Sequence, residues 1–495
     1  MRGRTGLALA AITALAAALR FVDLGHQSFW FDEKITVDLM HVSWSTLLRT
    51  LPHSESTPPL YYLAALAWSK LFGVSEVGLR SLSAVAGTLT VPAAYGTGAA
   101  LVSRRTGLIA AALVAVNPFL VWYSQEARAY AVAVLFSVLA LLYFARAITG
   151  ARARAVDLAL WALSSTLALA THYFAIFLIA PMGLWLAWRA RPRRSALIAC
   201  GAIVIAIAAL APLVLSQQAN GRATWISHIA LGLRLRQLAQ QYLIGFDAPA
   251  RLALLFVSLA LVATAVGLLA LRGGERERRG AALCAGLAVS GLLLPLLFTA
   301  AGDDFLISRN TIPVLVPLLV AGACAFGATR TGLLGLAASG ALCVVGVVAV
   351  VAVDRDRSLQ RPDWRGLAAA LGPARQARAV VVPGGYRSQP LRLYLHNSDY
   401  FTARSLAVSE IDVVAARSPR HRACWWGAAC NLPSLAISTS PPLRGFVFAG
   451  RRDDGLFTVL RFQAPRVVPV TPGELQAAVP TLPKYPRVLV YVQRA

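Results

Sequence analysis

Charge is scarce in this chain of 495 residues: 14% of them are charged against 57% hydrophobic, and the mean hydropathy is +0.63. A soluble domain carries roughly a quarter charged residues, so composition excludes an ordinary water-soluble protein. Acids are scarcer still, 22 against 47 lysines and arginines, for a formal charge of +25. That excess does not make a nucleic-acid binder, because the cations fall in short clusters between apolar runs of spanning length, which is the pattern of membrane topology. Cysteine is rare too, six in all and without metal-ligand spacing. Cys200, Cys284, Cys324 and Cys343 lie inside apolar runs as small hydrophobes, whereas Cys424 and Cys430, in CWWGAAC, are either a disulfide or two free thiols. There is no Walker loop, dinucleotide fingerprint, HExxH or nucleophile elbow, so nucleotide-driven transport and proteolysis find no support and a donor substrate would be membrane-borne.

What is present is apolar length. Runs near 5–22, 80–102, 106–122, 130–148, 155–171, 173–188, 195–215, 251–271, 280–301, 312–328 and 332–353 predict about eleven spanning helices. RGR at the start, SRR (103–105), RARAR near 150, RARPRR (189–194), RGGERERR (272–279) and ATR (328–330) fall at every second junction, which makes those junctions and the N-terminus cytoplasmic. MRGR before an alanine-rich stretch resembles a signal peptide, but the run continues to Arg20 without a persuasive cleavage site and reads as a retained anchor. Residues 23–79 form a long external loop whose twelve-residue run LYYLAALAWSKL (60–71) is too short to span and reads as an interfacial helix. From Asp354 the chain turns polar. Helix-like DWRGLAAALG and strand-like ARAVVVPG, RGFVFAG, FTVLRF and RVLVYVQ predict a small extracytoplasmic α/β domain over 354–495, after a membrane domain over 1–353.

Thirteen acids precede residue 354, and only Asp157, Glu275 and Glu277 belong to arginine-rich junctions. The other ten face outside, where acids have little part in insertion, so they point to chemistry or ligand binding there. The strongest constellation is Phe29-Trp30-Phe31-Asp32-Glu33, an acidic pair under aromatics just after the first run. A carboxylate at a partly desolvated mouth can take a proton from an acceptor hydroxyl, and that role falls to Asp32 with Glu33 beside it. The plainer reading is a loop helix whose dipole favours two acids in its first turn. The turn Trp122–Tyr130 adds Glu126, Arg128 and Tyr130, although Glu126 and Arg128 can equally form a structural pair. Arg309 in FLISRNT, Arg128 and Arg20 have the planar, multiply donating group that suits a lipid-linked phosphate, with snorkelling to headgroups as the bland alternative. His172 in THY can position a hydroxyl or hold a metal, but such a histidine more often makes one hydrogen bond. Asp303 and Asp304 either shape the acceptor site or are solvated loop residues, and divalent-metal involvement stays open.

FWFDEK (29–34), PPLYYL (58–63), FGVSEVGLRSLSA (72–84), NPFLVWYSQEARAY (117–130), THYF (171–174), SRNTIPVLVP (308–317) and DWRGLAAAL (363–371) together resemble the GT-C type glycosyltransferases of the protein O-mannosyltransferase and aminoarabinose-transferase group, glycosyltransferase family 39. The resemblance implies a polyprenyl-phosphate sugar donor, an external active site and Asp32 as the catalytic acidic residue of the first loop. Bacterial relatives often place a histidine or another polar residue directly before the Pro-Pro pair, whereas here Thr57 stands there with His53 four positions earlier, which leaves donor and acceptor identity open. The expected reaction moves a sugar to an external glycan, lipid or protein hydroxyl, with inversion. The competing classes are a transporter or flippase of a lipid-linked saccharide and a noncatalytic membrane scaffold that binds cell-wall polymer.

Overall fold

In the computed structural model, which describes residues 2–222, 224–416, 438–478 and 488–495, each of the eleven apolar runs is helical. The chain starts with α1 (Arg2–Phe21), α2 (Phe31–Leu39), α3 (Trp44–Ser54), α4 (Leu60–Phe72) and α5 (Glu76–Leu101). Then follow α6 (Arg104–Val116), α7 (Pro118–Ser124), α8 (Tyr130–Thr149), α9 (Ala155–Thr171), α10 (Ile176–Arg189) and α11 (Arg193–Ala219). The last helices of this region are α12 (Leu231–Ile244), α13 (Arg251–Arg272), α14 (Glu275–Ala300), α15 (Ile312–Phe326) and α16 (Gly332–Arg355).

By length and apolarity six of the described helices can cross a membrane: α1, α8, α11, α13, α14 and α16. The pair α6 and α7, bent by 60°, makes a seventh if it counts as one broken span. That is fewer than the expected eleven. α9, α10 and α15 are apolar but short, and α5 is diluted by Gly, Thr, Pro and Tyr residues. The expected interfacial run is α4, entered through Pro58 and Pro59.

Contacts divide the chain into two compact units, one of residues 1–24 with Asp38–Val351 and one of Gly25–Val37 with Ala352–Ala495. In the first unit small residues let helices approach, as membrane bundles require. A Cβ on Gly107 would sit 2.5 Å from Tyr95 O, and one on Gly98 would sit 3.0 Å from the Gly107 backbone, so α5 and α6 meet backbone to backbone. Around Trp161, fully buried, pack Leu141, Phe144, Leu178, Met182 and Leu186 from α8 and α10.

The second unit is built on six strands: β1 (Arg378–Pro383), β2 (Ser398–Tyr400), β3 (Leu406–Ala416), β4 (Val447–Asp454), β5 (Phe457–Val470) and β6 (Val488–Gln493). Their spatial order is β2-β6-β1-β3-β5-β4, with β1 parallel to β3 and the other pairs antiparallel. β1 is buried on both faces, which is why its ARAVVVP reads as a continuous apolar run. Val380 and Val382 face Trp364, Leu367 and Leu371 of α17 (Trp364–Leu371), while Ala379 and Val381 join Ile411, Phe462 and Leu475 on the other face, the last from α18 (Pro472–Ala478). Arg378, buried in the sheet, is held by Asp412 at 2.9 Å and Gln493 at 2.6 Å, and Arg461 shares the same Asp412.

The segment Gly25–Val37 is stitched into this second unit. Ser28 Oγ donates to Asp363 Oδ1 (3.2 Å), the Tyr394 hydroxyl accepts the Phe29 N–H (2.7 Å), and the Phe31 ring meets Tyr386 edge-on at 4.9 Å. These contacts position the acidic start of α2.

Candidate active site

The two acids of α2 are not equivalent. Glu33 is fully buried, and its Oε2 accepts the N–H of Trp30 at 3.3 Å, the reach-back by which a residue in the first turn closes a helix start. Asp32 is half-buried in the same first turn of α2. The helix-start reading therefore describes Glu33. The Trp30 indole N–H is buried and has no acceptor among the described residues.

In the first unit the turn between α7 and α8 brings Arg128 against Glu55. Two parallel bonds of 2.7 and 2.8 Å join them, both side chains buried. Arg128 thus has a bidentate partner in Glu55, 73 residues away, which sequence spacing did not offer. A buried carboxylate needs a matched cation, and the bidentate fork supplies it. The Arg128 guanidinium also lies 5.7 Å from the centre of the Tyr62 ring, whose hydroxyl is 3.0 Å from Thr57 Oγ1. Gln217 ties the loop from α11, donating to Leu51 O and Thr57 O and accepting from the Tyr173 hydroxyl. Replacing Arg128 with Ala leaves Glu55 buried without its cation, so we expect about 3–5 kcal/mol of lost stability, read as a lower unfolding temperature, with a smaller loss for the doubly neutral Arg128→Met/Glu55→Gln variant.

His172 caps the C-terminus of α9, with its ring 5.5 Å from Tyr130 and 5.4 Å from Phe174. Burial, followed by the positive charges of Arg309 and Arg128, pushes this turn imidazole down to about 3. Its Nδ1 has no partner among the described residues. Tyr130 is buried with its ring 4.5 Å from Tyr123, and Glu126 is fully buried.

Arg309 occupies the turn before α15 and is half-exposed, its guanidinium 5.4 Å from the Trp225 ring centre. α12 clamps that turn. Arg234 grips Asp304 through two bonds of 2.6 Å and donates to Leu306 O, Tyr242 donates to Thr311, and Ser308 donates to Gln241. Asp304 is therefore an anchor for the turn, while Asp303 is exposed. Arg234, Trp225 and Tyr242 escaped sequence reasoning, because the α12 segment is too polar to span and carries no motif.

Arg20 corrects the third phosphate assignment. It is fully buried and donates to Ser124 Oγ (3.2 Å), Ala16 O (3.1 Å), Ala115 O (2.8 Å) and Val114 O (3.2 Å). The reason lies in the break between α6 and α7. Pro118 has no N–H to give Val114 O, so the last turn of α6 is left with orphan carbonyls, and a cation suits both them and the negative end of the dipole. Gly87 makes room for it, since a Cβ there would come 2.0 Å from Ser124 Oγ and 2.9 Å from Arg20 Nε. Arg20→Met should therefore lower the unfolding temperature, and Gly87→Ala should do the same.

Among the described residues no three His, Cys, Asp or Glu side chains converge as a metal site. Cys200, Cys284, Cys324 and Cys343 are free thiols, and Cys424 and Cys430 lie outside the described residues.

Residues 56–215 match the family model described as dolichyl-phosphate-mannose-protein mannosyltransferase. Among solved structures, apo ArnT from Cupriavidus metallidurans aligns with a TM-score of 0.52 and 12% identity over 79% of this chain and 85% of that one. The Archaeoglobus fulgidus oligosaccharyltransferase with zinc and sulfate aligns at 0.43 and 14% identity over 73% of this chain and 54% of its own, and mycobacterial arabinofuranosyltransferase AftD at 0.44 and 16% over 94% and 41%. Comparison with curated proteins returned no match. The ArnT likeness carries the fold alone, and the family match covers the segment that holds the Pro58-Pro59 and Asn117–Tyr130 motifs. On that match and that fold the chain is similar to the GT-C type membrane glycosyltransferases of the protein mannosyltransferase and ArnT group.

Proposed function

We propose that the protein transfers a sugar from a polyprenyl-phosphate donor to a hydroxyl of an extracytoplasmic glycan, lipid or protein. The family description, which names a dolichyl-phosphate sugar, supports that donor class. The observation that supports the mechanism is the division of labour at α2, where Glu33 closes the helix start and Asp32, half-buried, sits beside it in the first turn. Asp32 takes the proton of the acceptor hydroxyl as its oxygen bonds to the anomeric carbon. The bond from that carbon to the phosphate oxygen breaks, its electron pair leaves on polyprenyl phosphate, and Arg309 bears the phosphate charge. A single displacement inverts the anomeric centre. The N-terminus and the arginine-rich junctions lie in the cytoplasm and the second unit outside. NMR assignment of the anomer in donor and product tests this: inversion is expected, and retention would replace direct displacement by a double one.

A further inference from the structure

Two loops of the first unit meet at one corner of the helix bundle. The Ala153 N–H, between α8 and α9, donates to Arg191 O, between α10 and α11, at 2.8 Å. Around that bond stand Arg152, Arg154, Arg189, Arg191, Arg193 and Arg194, all exposed. Consecutive Cα atoms are about 3.8 Å apart, so these neighbours in sequence share the corner. Only one acid serves it among the described residues. Asp157 is buried and forks onto Arg154 at 2.6 and 3.0 Å, which commits it. The other two acids of the arginine-rich junctions are engaged elsewhere, Glu275 by Arg279 and Glu277 by Thr329. Arg191 donates to the neighbouring Ala190 O, and the Arg189 guanidinium lies 4.2 Å from the centre of the Trp188 ring. Five guanidiniums are thus left without a carboxylate among the described residues.

The corner ends helices that face lipid. Arg193 and Arg194 open α11, one of the helices able to cross a membrane, and little of that helix is buried inside the protein. Arg189 ends apolar α10, whose last two turns expose Trp185 and Trp188. Exposed tryptophans at the end of an apolar helix mark the depth of the headgroups. Insertion accounts for arginines at each junction, but it does not require two junctions to be joined or their charges to stay without acids. An anionic membrane surface supplies the missing charge.

We propose that this corner is a docking surface for the headgroups of anionic lipids, with Arg152, Arg189, Arg191, Arg193 and Arg194 as its cations. The test uses native mass spectra of the full chain in neutral detergent, titrated with phosphatidylglycerol or phosphatidylcholine. Arg191→Gln/Arg194→Gln should weaken phosphatidylglycerol about fivefold for each charge removed and leave phosphatidylcholine unchanged. Arg152→Gln, on the other loop, should weaken it about fivefold as well. Arg444→Gln/Arg466→Gln, which takes two charges from exposed positions of the second unit, should change neither lipid, and unfolding temperatures check that all the variants are folded. Unchanged phosphatidylglycerol affinity in either corner variant, an equal loss in Arg444→Gln/Arg466→Gln, or an equal loss of phosphatidylcholine would overturn the proposal. Sugar transfer is not read in this experiment, and detergent exposes both faces, so its failure leaves the proposed reaction and topology standing.

Discussion

Asp32→Asn should lower sugar transfer by roughly a hundredfold or more while the protein stays folded, because a positioned base contributes about that much and the amide keeps size and polarity without basicity. Glu33→Gln should behave differently. Its side-chain oxygen can still accept the Trp30 N–H, so the helix start survives with a weaker, uncharged cap and a modest fall in unfolding temperature. If the pair served only to open α2, both variants would show small stability losses and near-normal turnover. The asymmetry is visible in burial, with Glu33 at 0% exposure and Asp32 half-exposed, and turnover assays on the two purified variants read it directly.

Arg309→Ala is expected to weaken use of the lipid-linked donor about tenfold or more, the scale of one lost charge-assisted hydrogen bond to a phosphate. The turn that carries Arg309 is also held by Arg234–Asp304, Tyr242–Thr311 and Ser308–Gln241, and an unfolding temperature checks that the variant is folded. Arg309→Lys should recover part of the loss, since an ammonium keeps the charge but not the planar fork. Donor saturation curves check this. Unchanged donor kinetics in a folded Arg309→Ala protein would take the residue out of the site.

The fold was largely legible because its signals are local. Spanning helices announce themselves as apolar runs, and the strands of the second unit as short Val-rich segments between turns, so all eleven runs are helices and the RVLVYVQ and FTVLRF strands are where the pattern puts them. The count of spans was less legible, since hydropathy marks burial in lipid and in protein alike, and short α9 and α15 are apolar for helix packing as much as for lipid. The candidate site divides the same way. A motif at one place in the chain, such as FWFDEK, is readable. The roles of Arg20 and Arg128 are not, because their partners are set by folding: a proline-broken helix 95 residues on for the one and Glu55 for the other. Both are arginines whose charge is spent inside the protein, and no residue type reveals that. The different duties of Asp32 and Glu33 also needed the structure, since only the capping geometry separates two adjacent acids.

The central claim is that a glycosyl–phosphate bond is broken. Its most direct measurement is the release of free polyprenyl phosphate, with the sugar appearing on an external acceptor, by purified protein in proteoliposomes given a defined polyprenyl-phosphate-sugar panel. The account predicts release and transfer in equal amounts from at least one donor, abolished by Asp32→Asn. Movement of an intact donor across the bilayer without bond cleavage, equally fast in Asp32→Asn, would contradict it.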